Sequence, residues 1–221
     1  MKRALLISAS LLAATLAVAS AVFGPELLSG YRFMEELDRH YAVYEADGSP
    51  WPQIRDACTL CHGANGQPSD GQYAALAGQN AAYIQAQLHA FASGTRHSAQ
   101  MGPLAASLSD TQIRTLAEYF ARQRPAITED PVSDDALAQR GQATVTARGC
   151  VACHGADLSG GPLGPRIAGQ GKGYLLDQLK AFRLGQRQDP TQAMNAMAGL
   201  LADDELEATA HYLAGLAPAG R

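Results

Sequence analysis

The sequence predicts an all-α chain built as a tandem duplication, and three observations carry that expectation. Apolar residues recur at helical spacing, and no stretch alternates well enough to suggest a sheet. A set of side chains recurs about 91 positions along the chain. Each half also holds one C-x-x-C-H motif, Cys58-Thr-Leu-Cys61-His62 and Cys150-Val-Ala-Cys153-His154, and together these use all four cysteines.

The chain opens on Met1-Lys2-Arg3, followed by uncharged, mostly apolar residues from Ala4 to Phe23. Small-x-small pairs at Ala17-Val-Ala19 and Ala19-Ser-Ala21 suit a signal peptidase. Residues 1–23 therefore read as an export segment, either a cleaved signal peptide or a membrane anchor. The expected location is the periplasm, soluble or tethered to the inner membrane. Residues Ser29 to Glu45 carry Phe33, Leu37, Tyr41 and Tyr44 at helical spacing. This helix either stands as a stalk or packs on the first copy, and Pro50-Trp51-Pro52 ends it.

The repeat then takes over. Tyr83, Gln87, Leu88, Phe91, Gly94 and Arg96 return as Tyr174, Gln178, Leu179, Phe182, Gly185 and Arg187, and Ala77-Gly-Gln79 returns as Ala168-Gly-Gln170. Met101 and Tyr119 return two positions later in register, as Met194 and Tyr212, which places short insertions in loops between fixed helices. The organisation expected is an export segment over 1–23, a helical segment over 24–50, copies over 51–124 and 133–221, and a linker over 125–132. Tyr83 to Ala92 carries one apolar stripe. Ser109-Asp-Thr-Gln112 reads as a capping box, and Asp203 is the expected, weaker cap of the matching helix. Ser133-Asp-Asp caps a further helix, in which Gly141 permits close crossing by the last helix near Tyr212.

C-x-x-C-H is the attachment signature of a c-type haem: two thiols add to the porphyrin edge and the adjacent histidine lies beneath the iron. Two intervening residues put both sulfurs on one side of a helical turn. Cys58, Cys61, Cys150 and Cys153 are thus the expected covalent attachment points of two haem c groups, with His62 and His154 as proximal iron ligands. The composition fits, because only 6% of residues are aromatic and a haem in each half supplies apolar volume. A net charge of -4 offers no basis for nucleic-acid binding.

The second axial position comes from the methionines. Met1 and Met34 precede the first motif, leaving Met101 in one copy and Met194 and Met197 in the other. Met101 lies seven residues before Leu108 and Met194 seven before Leu201, whereas Met197 aligns with Leu104, an apolar packing position. Met101 and Met194 are the expected ligands. His40, His89, His97 and His211 have no repeated counterparts and are expected to be exposed. Arg96 and Arg187 serve either a haem propionate or the solvent.

With these motifs on the page, the chain resembles the dihaem cytochrome c4 family over about residues 51 to 216. The resemblance implies two class I cytochrome c domains, each wrapped around a covalently bound haem, and an electron carrier rather than an enzyme. Its partners would be redox proteins, with a donor such as a quinol-oxidising complex and an acceptor such as a terminal oxidase. Two alternatives stand beside it: an electron-accepting subunit of a dehydrogenase, similar to the cytochrome subunit of flavocytochrome c, and a dihaem enzyme such as a peroxidase or thiosulfate dehydrogenase. The family's proline, whose carbonyl orients the proximal histidine, matches Pro165. The first copy has Ala74 instead, a departure that bears on the hydrogen bond to His62 and on the relative potential of the two haems.

Overall fold

The computed structural model describes residues 17, 19–25, 27–32, 34–35, 53–128 and 134–219. Most of the export segment, the Phe33 to Tyr44 stripe, Pro50-Trp51-Pro52 and the acidic part of the linker lie outside these residues. Residues 19–25 and 27–32 are helical (α1), so this helix starts ahead of Ser29, the position that the apolar spacing had suggested. No helix among the described residues is long and apolar enough to cross a membrane.

The chain divides into two compact units, residues 1–53 and 54–221. Among its described residues the second unit contains helices and loops without a strand. Its first half runs through α2 (Asp56–His62), a 3-10 turn at Ala64–Gly66, α3 (Ala81–Ala92), α4 (Met101–Ala106) and α5 (Asp110–Arg122). The second half supplies α6 (Asp135–Ala147), α7 (Val151–His154), α8 (Lys172–Arg183), α9 (Ala193–Gly199) and α10 (Asp203–Ala214).

Local chemistry starts these helices. The Asn80 side chain accepts from the Tyr83 amide and starts α3. Ser109 and Gln112 make the reciprocal capping box of α5. Asp134 accepts from Leu137 and starts α6. The last helix differs from expectation. Ala202 is its N-cap and can offer no side-chain acceptor; Glu205 accepts from the Ala202 amide at 2.9 Å, which is half of a capping box. Asp203 is already inside the helix, where it pairs with Arg183 at 2.6 Å instead of capping.

Each half has its own core. Ile84, Leu116, Ala117 and Phe120 form the first, with Cys58, Leu76 and Leu88 packed against them. Val145, Leu158, Ala168, Leu175, Ala210, Leu213 and Ala214 form the second, with Cys150 at its edge. A further cluster of Leu179, Leu201 and Leu206 holds Met194. Burying each large side chain contributes about 1.5–3 kcal/mol.

Helices α6 and α10 cross at Gly141, where an added Cβ would overlap the Ala208 carbonyl oxygen and lie 2.6 Å from Tyr212 Cβ. This is the close crossing that the sequence suggested. The same packing buries His211, only 6% exposed, against the expectation of a solvent position. Almost every face of α10 is covered, so a histidine there has no route to water. His89 and His97 are exposed, and His40 lies outside the described residues.

The two halves of the unit meet through reciprocal contacts. Arg96 donates to Gln87 of its own half and to Tyr174 and Gln178 of the other, at 2.8–3.2 Å. Arg187 donates to Gln178 of its own half and to Tyr83 and Gln87 of the other, at 2.8–3.0 Å. Each guanidinium also stacks on the phenyl ring of its own half, Phe91 or Phe182. The solvent reading of Arg96 and Arg187 does not describe this arrangement: they are clamps between the halves. Beside them the Gln79 amide bonds both the N–H and the carbonyl of Arg166, and Gln170 does the same to Ala75. The linker is pinned as well, since Ala126 bonds Gln67 and Thr128 bonds the Gly169 carbonyl.

Two outcomes follow. Gly141→Ala gains helix propensity but forces α6 and α10 apart, for a net loss of about 2 kcal/mol in denaturant unfolding of the holoprotein. Arg187→Met strands Tyr83 and Gln87 and costs roughly 3 kcal/mol. A cycle with Tyr83→Phe then shows a coupling of about 0.5–3 kcal/mol, which unrelated positions would not show.

Candidate haem sites

Helix α2 carries the whole first motif. Cys58 and Cys61 stand three residues apart on neighbouring positions of one face, and His62 ends the helix before Gly63 turns the chain. In the second half Cys150 caps α7, and Cys153 and His154 lie in its single turn. The thiols are graded alike in both copies, with Cys58 and Cys150 partly buried on the cores and Cys61 and Cys153 exposed. Burial, with Asp56 nearby, pushes the Cys58 thiol above its ordinary pKa, and burial raises Cys150 likewise. These two sulfurs are therefore held as thiols at neutral pH, the form that adds across a vinyl group.

The histidines are oriented by the chain itself. His62 Nδ1 lies 2.8 Å from the Ala74 carbonyl oxygen, and His154 Nδ1 lies 2.8 Å from that of Pro165. A carbonyl can only accept, so Nδ1 carries the proton and the Nε2 lone pair is left for a metal. Burial pushes both imidazoles below their ordinary pKa, outweighing the opposing effect of these bonds, and favours the neutral ring. Ala74 thus makes the bond expected of a proline. The acceptor is backbone, and the loop reaches the same place without the ring.

That loop is held by one repeated device. The amides of Leu76 and Ala77 both donate to the Gly66 carbonyl, and those of Ile167 and Ala168 to the Leu158 carbonyl. Both acceptor residues have left-handed backbone, with φ of 79° at Gly66 and 60° at Leu158. Leu158 is buried in the core, so its packing holds a conformation that leucine by itself avoids.

The two methionines sit in unequal loops. Met101 opens α4, with its amide donating to Ser98 Oγ at 3.1 Å. Met194 lies one residue inside α9, with its amide on Asp189 Oδ2 at 2.7 Å. Asn195 adds bonds to the Phe182 and Arg187 carbonyls. Burial alone would raise the Asp189 pKa, but hydrogen bonds from Thr191 and Met194, with Arg187 close by, hold it below the usual carboxylate range. The second loop is longer by two residues and much more tightly laced. Leu104 is largely exposed, whereas Met197, its counterpart, is half-buried.

The residues present suit a c-type haem in each half: two thiols, a neutral imidazole whose Nε2 is left for a metal, and a methionine at matched places in the two copies. Among the described residues, two buried side-chain polar atoms lack a hydrogen-bond partner, Arg166 Nε and Thr209 Oγ1. Sequence reasoning missed Arg166 altogether. Its counterpart is Ala75, so the repeat gave no signal for it.

Comparison with known proteins agrees with this geometry. The cytochrome c family model matches residues 138–217. The thiosulfate dehydrogenase electron acceptor of Thiomonas intermedia is 34% identical over 188 residues, covering 78% of this chain and 86% of the relative. Cytochrome c4 of Pseudomonas aeruginosa is 31% identical over 167 residues, covering 72% of this chain and 83% of the relative. The crystal structure of reduced cytochrome c4 from Pseudomonas stutzeri superposes with a TM-score of 0.66 at 29% identity, covering 73% of this chain and 94% of that one.

Because the Ala74 carbonyl does the orienting and the Ala74 amide donates no backbone hydrogen bond among the described residues, Ala74→Pro should be neutral. The expected result is an unchanged midpoint potential for both haems in an optical redox titration.

Proposed function

The chain belongs to the dihaem cytochrome c4 family, and from that premise we propose a ligand set for its two haem c groups. Cys58 and Cys61 make the thioether links of the first haem, and His62 and Met101 take the axial positions of its iron. Cys150 and Cys153 attach the second, with His154 and Met194 as axial ligands. The protein carries electrons and does not transform a substrate. Haem c supplies a one-electron iron couple when bound.

What the chain contributes is fixation. The Ala74 and Pro165 carbonyls set the ring planes of His62 and His154 and enrich Nε2 as a donor. Ser98, Asp189 and Asn195 hold the two methionine loops, so that little reorganisation accompanies a change of iron charge. The paired histidine-carbonyl bonds, equal at 2.8 Å in both copies, are the observation that most supports a matched pair of proximal sites. With Met101 and Met194 as second ligands, neither iron would keep the open position that a dihaem enzyme needs, and the carrier reading would follow.

We place the carrier in the periplasm, with residues 1–23 directing export. Its donor is a dehydrogenase of that compartment, a reading favoured by the name of the Thiomonas relative, and its acceptor is a terminal oxidase or another respiratory cytochrome. Cell fractionation tests the location, and reduction of the purified protein by thiosulfate with and without a thiosulfate dehydrogenase tests the donor.

Replacement of the methionines tests the ligand set. Met101→Leu and Met194→Leu should each remove one iron's sulfur-to-iron charge-transfer band. Each should also lower one midpoint by about 0.1 V or more, within the ~0.8 V that axial ligands span. Met197→Leu should leave both midpoints and both bands unchanged; a loss there instead would transfer the ligand role to Met197.

A further inference from the structure

Arg166 is the bulkiest of the fully buried side chains, 2% exposed. Its Nη1 donates to the Ala168 carbonyl at 2.6 Å, and its Nη2 to those of Ala75 and Ala77 at 3.1 and 3.0 Å. All three acceptors are neutral. Nε has no partner, and none of the ion pairs among the described residues involves Arg166. Burial lowers the guanidinium pKa to about 10, so it remains charged at neutral pH. A buried cation met only by carbonyl dipoles is costly, because breaking such a charge away from its counterion leaves its desolvation uncompensated.

Its position narrows what the counterion is. Arg166 follows Pro165, whose carbonyl holds His154, and it reaches across to Ala75, which follows Ala74, whose carbonyl holds His62. The guanidinium thus lies between the two loops that orient the proximal histidines. Each haem c carries two propionates, and these are the carboxylates that haem attachment would supply. A planar guanidinium with a free N–H is the donor that suits a carboxylate. Arg96 and Arg187 differ in that neither has a buried N–H left without a partner, since Gln87, Gln178 and the two tyrosines take them up.

We propose that the unpartnered Nε–H of Arg166 donates to a haem propionate, which makes this single arginine the buried countercharge shared by the two halves. The inference rests on the two-haem reading above and concerns a contact that the ligand set leaves open.

The test is NMR of the ferrous, diamagnetic holoprotein labelled with 13C and 15N. The Arg166 Nε–H, assigned through its own side-chain carbons, should show a nuclear Overhauser contact to propionate methylene protons. Contacts to water and protein alone overturn the proposal. In the same spectrum, ring-current-shifted methionine methyl signals report axial ligation, so a failure of the ligand set is seen separately. As a second measurement, Arg166→Gln should lower one haem midpoint, because loss of a nearby cation disfavours the reduced iron, and Arg166→Lys should restore most of it. Midpoints unchanged in a folded Arg166→Gln protein likewise overturn it.

Discussion

The structure depends on a hydrogen bond between an imidazole and a carbonyl eleven or twelve residues further along. To reach His62, the chain leaves α2, turns at Gly66 and returns through residues 74–79; the second half repeats this through 165–170. Those returning stretches then do much more than orient a ring. Ala75 and Ala77 accept from Arg166, Gly78 donates to the Phe120 carbonyl, and Gln79 crosses to the backbone of Arg166. Six residues therefore fix the proximal ligand, tie it to its own core and fasten one half to the other. A shift at the interface is transmitted to a histidine through a few covalent bonds, without any long-range relay.

The halves are built alike and finished differently. A bonded polar lattice surrounds Met194, whereas one serine steadies Met101. The crossing at Gly141 gives the second half a helix pair with no described counterpart in the first. Arg166 stands where the first copy has alanine. The first two differences bear on one half alone and Arg166 bears on the seam between them, so one duplicated design sets its two sites in unequal surroundings.

Much of this was legible in the sequence because it is periodic or local. The repeat, the capping box at Ser109, the capping run before Leu137 and the tight crossing at Gly141 each need only neighbours in sequence or a matched partner in the other copy. What was not legible required knowing which surfaces meet. The recurrence of Tyr83, Gln87 and Arg96 announced a shared task without naming it, since the partners of each lie in the opposite half. His211 seemed a surface residue because nothing in its spacing reveals that α10 is enclosed on nearly all sides. Ala74 looked like a defect because the family pattern records a side chain where the working atom is a backbone oxygen.

The reciprocal clamps are those of an isologous pair, the same patch meeting itself across a local two-fold. Joining the two copies by a linker turned a bimolecular encounter into an internal one, with an effective concentration that no longer depends on how much protein is present. It also released the pair from the obligation to be identical. In a homodimer any cation placed close to the axis appears twice, and two guanidiniums would repel each other in a space with room for one. Covalent fusion is thus the circumstance that lets a solitary arginine occupy the seam.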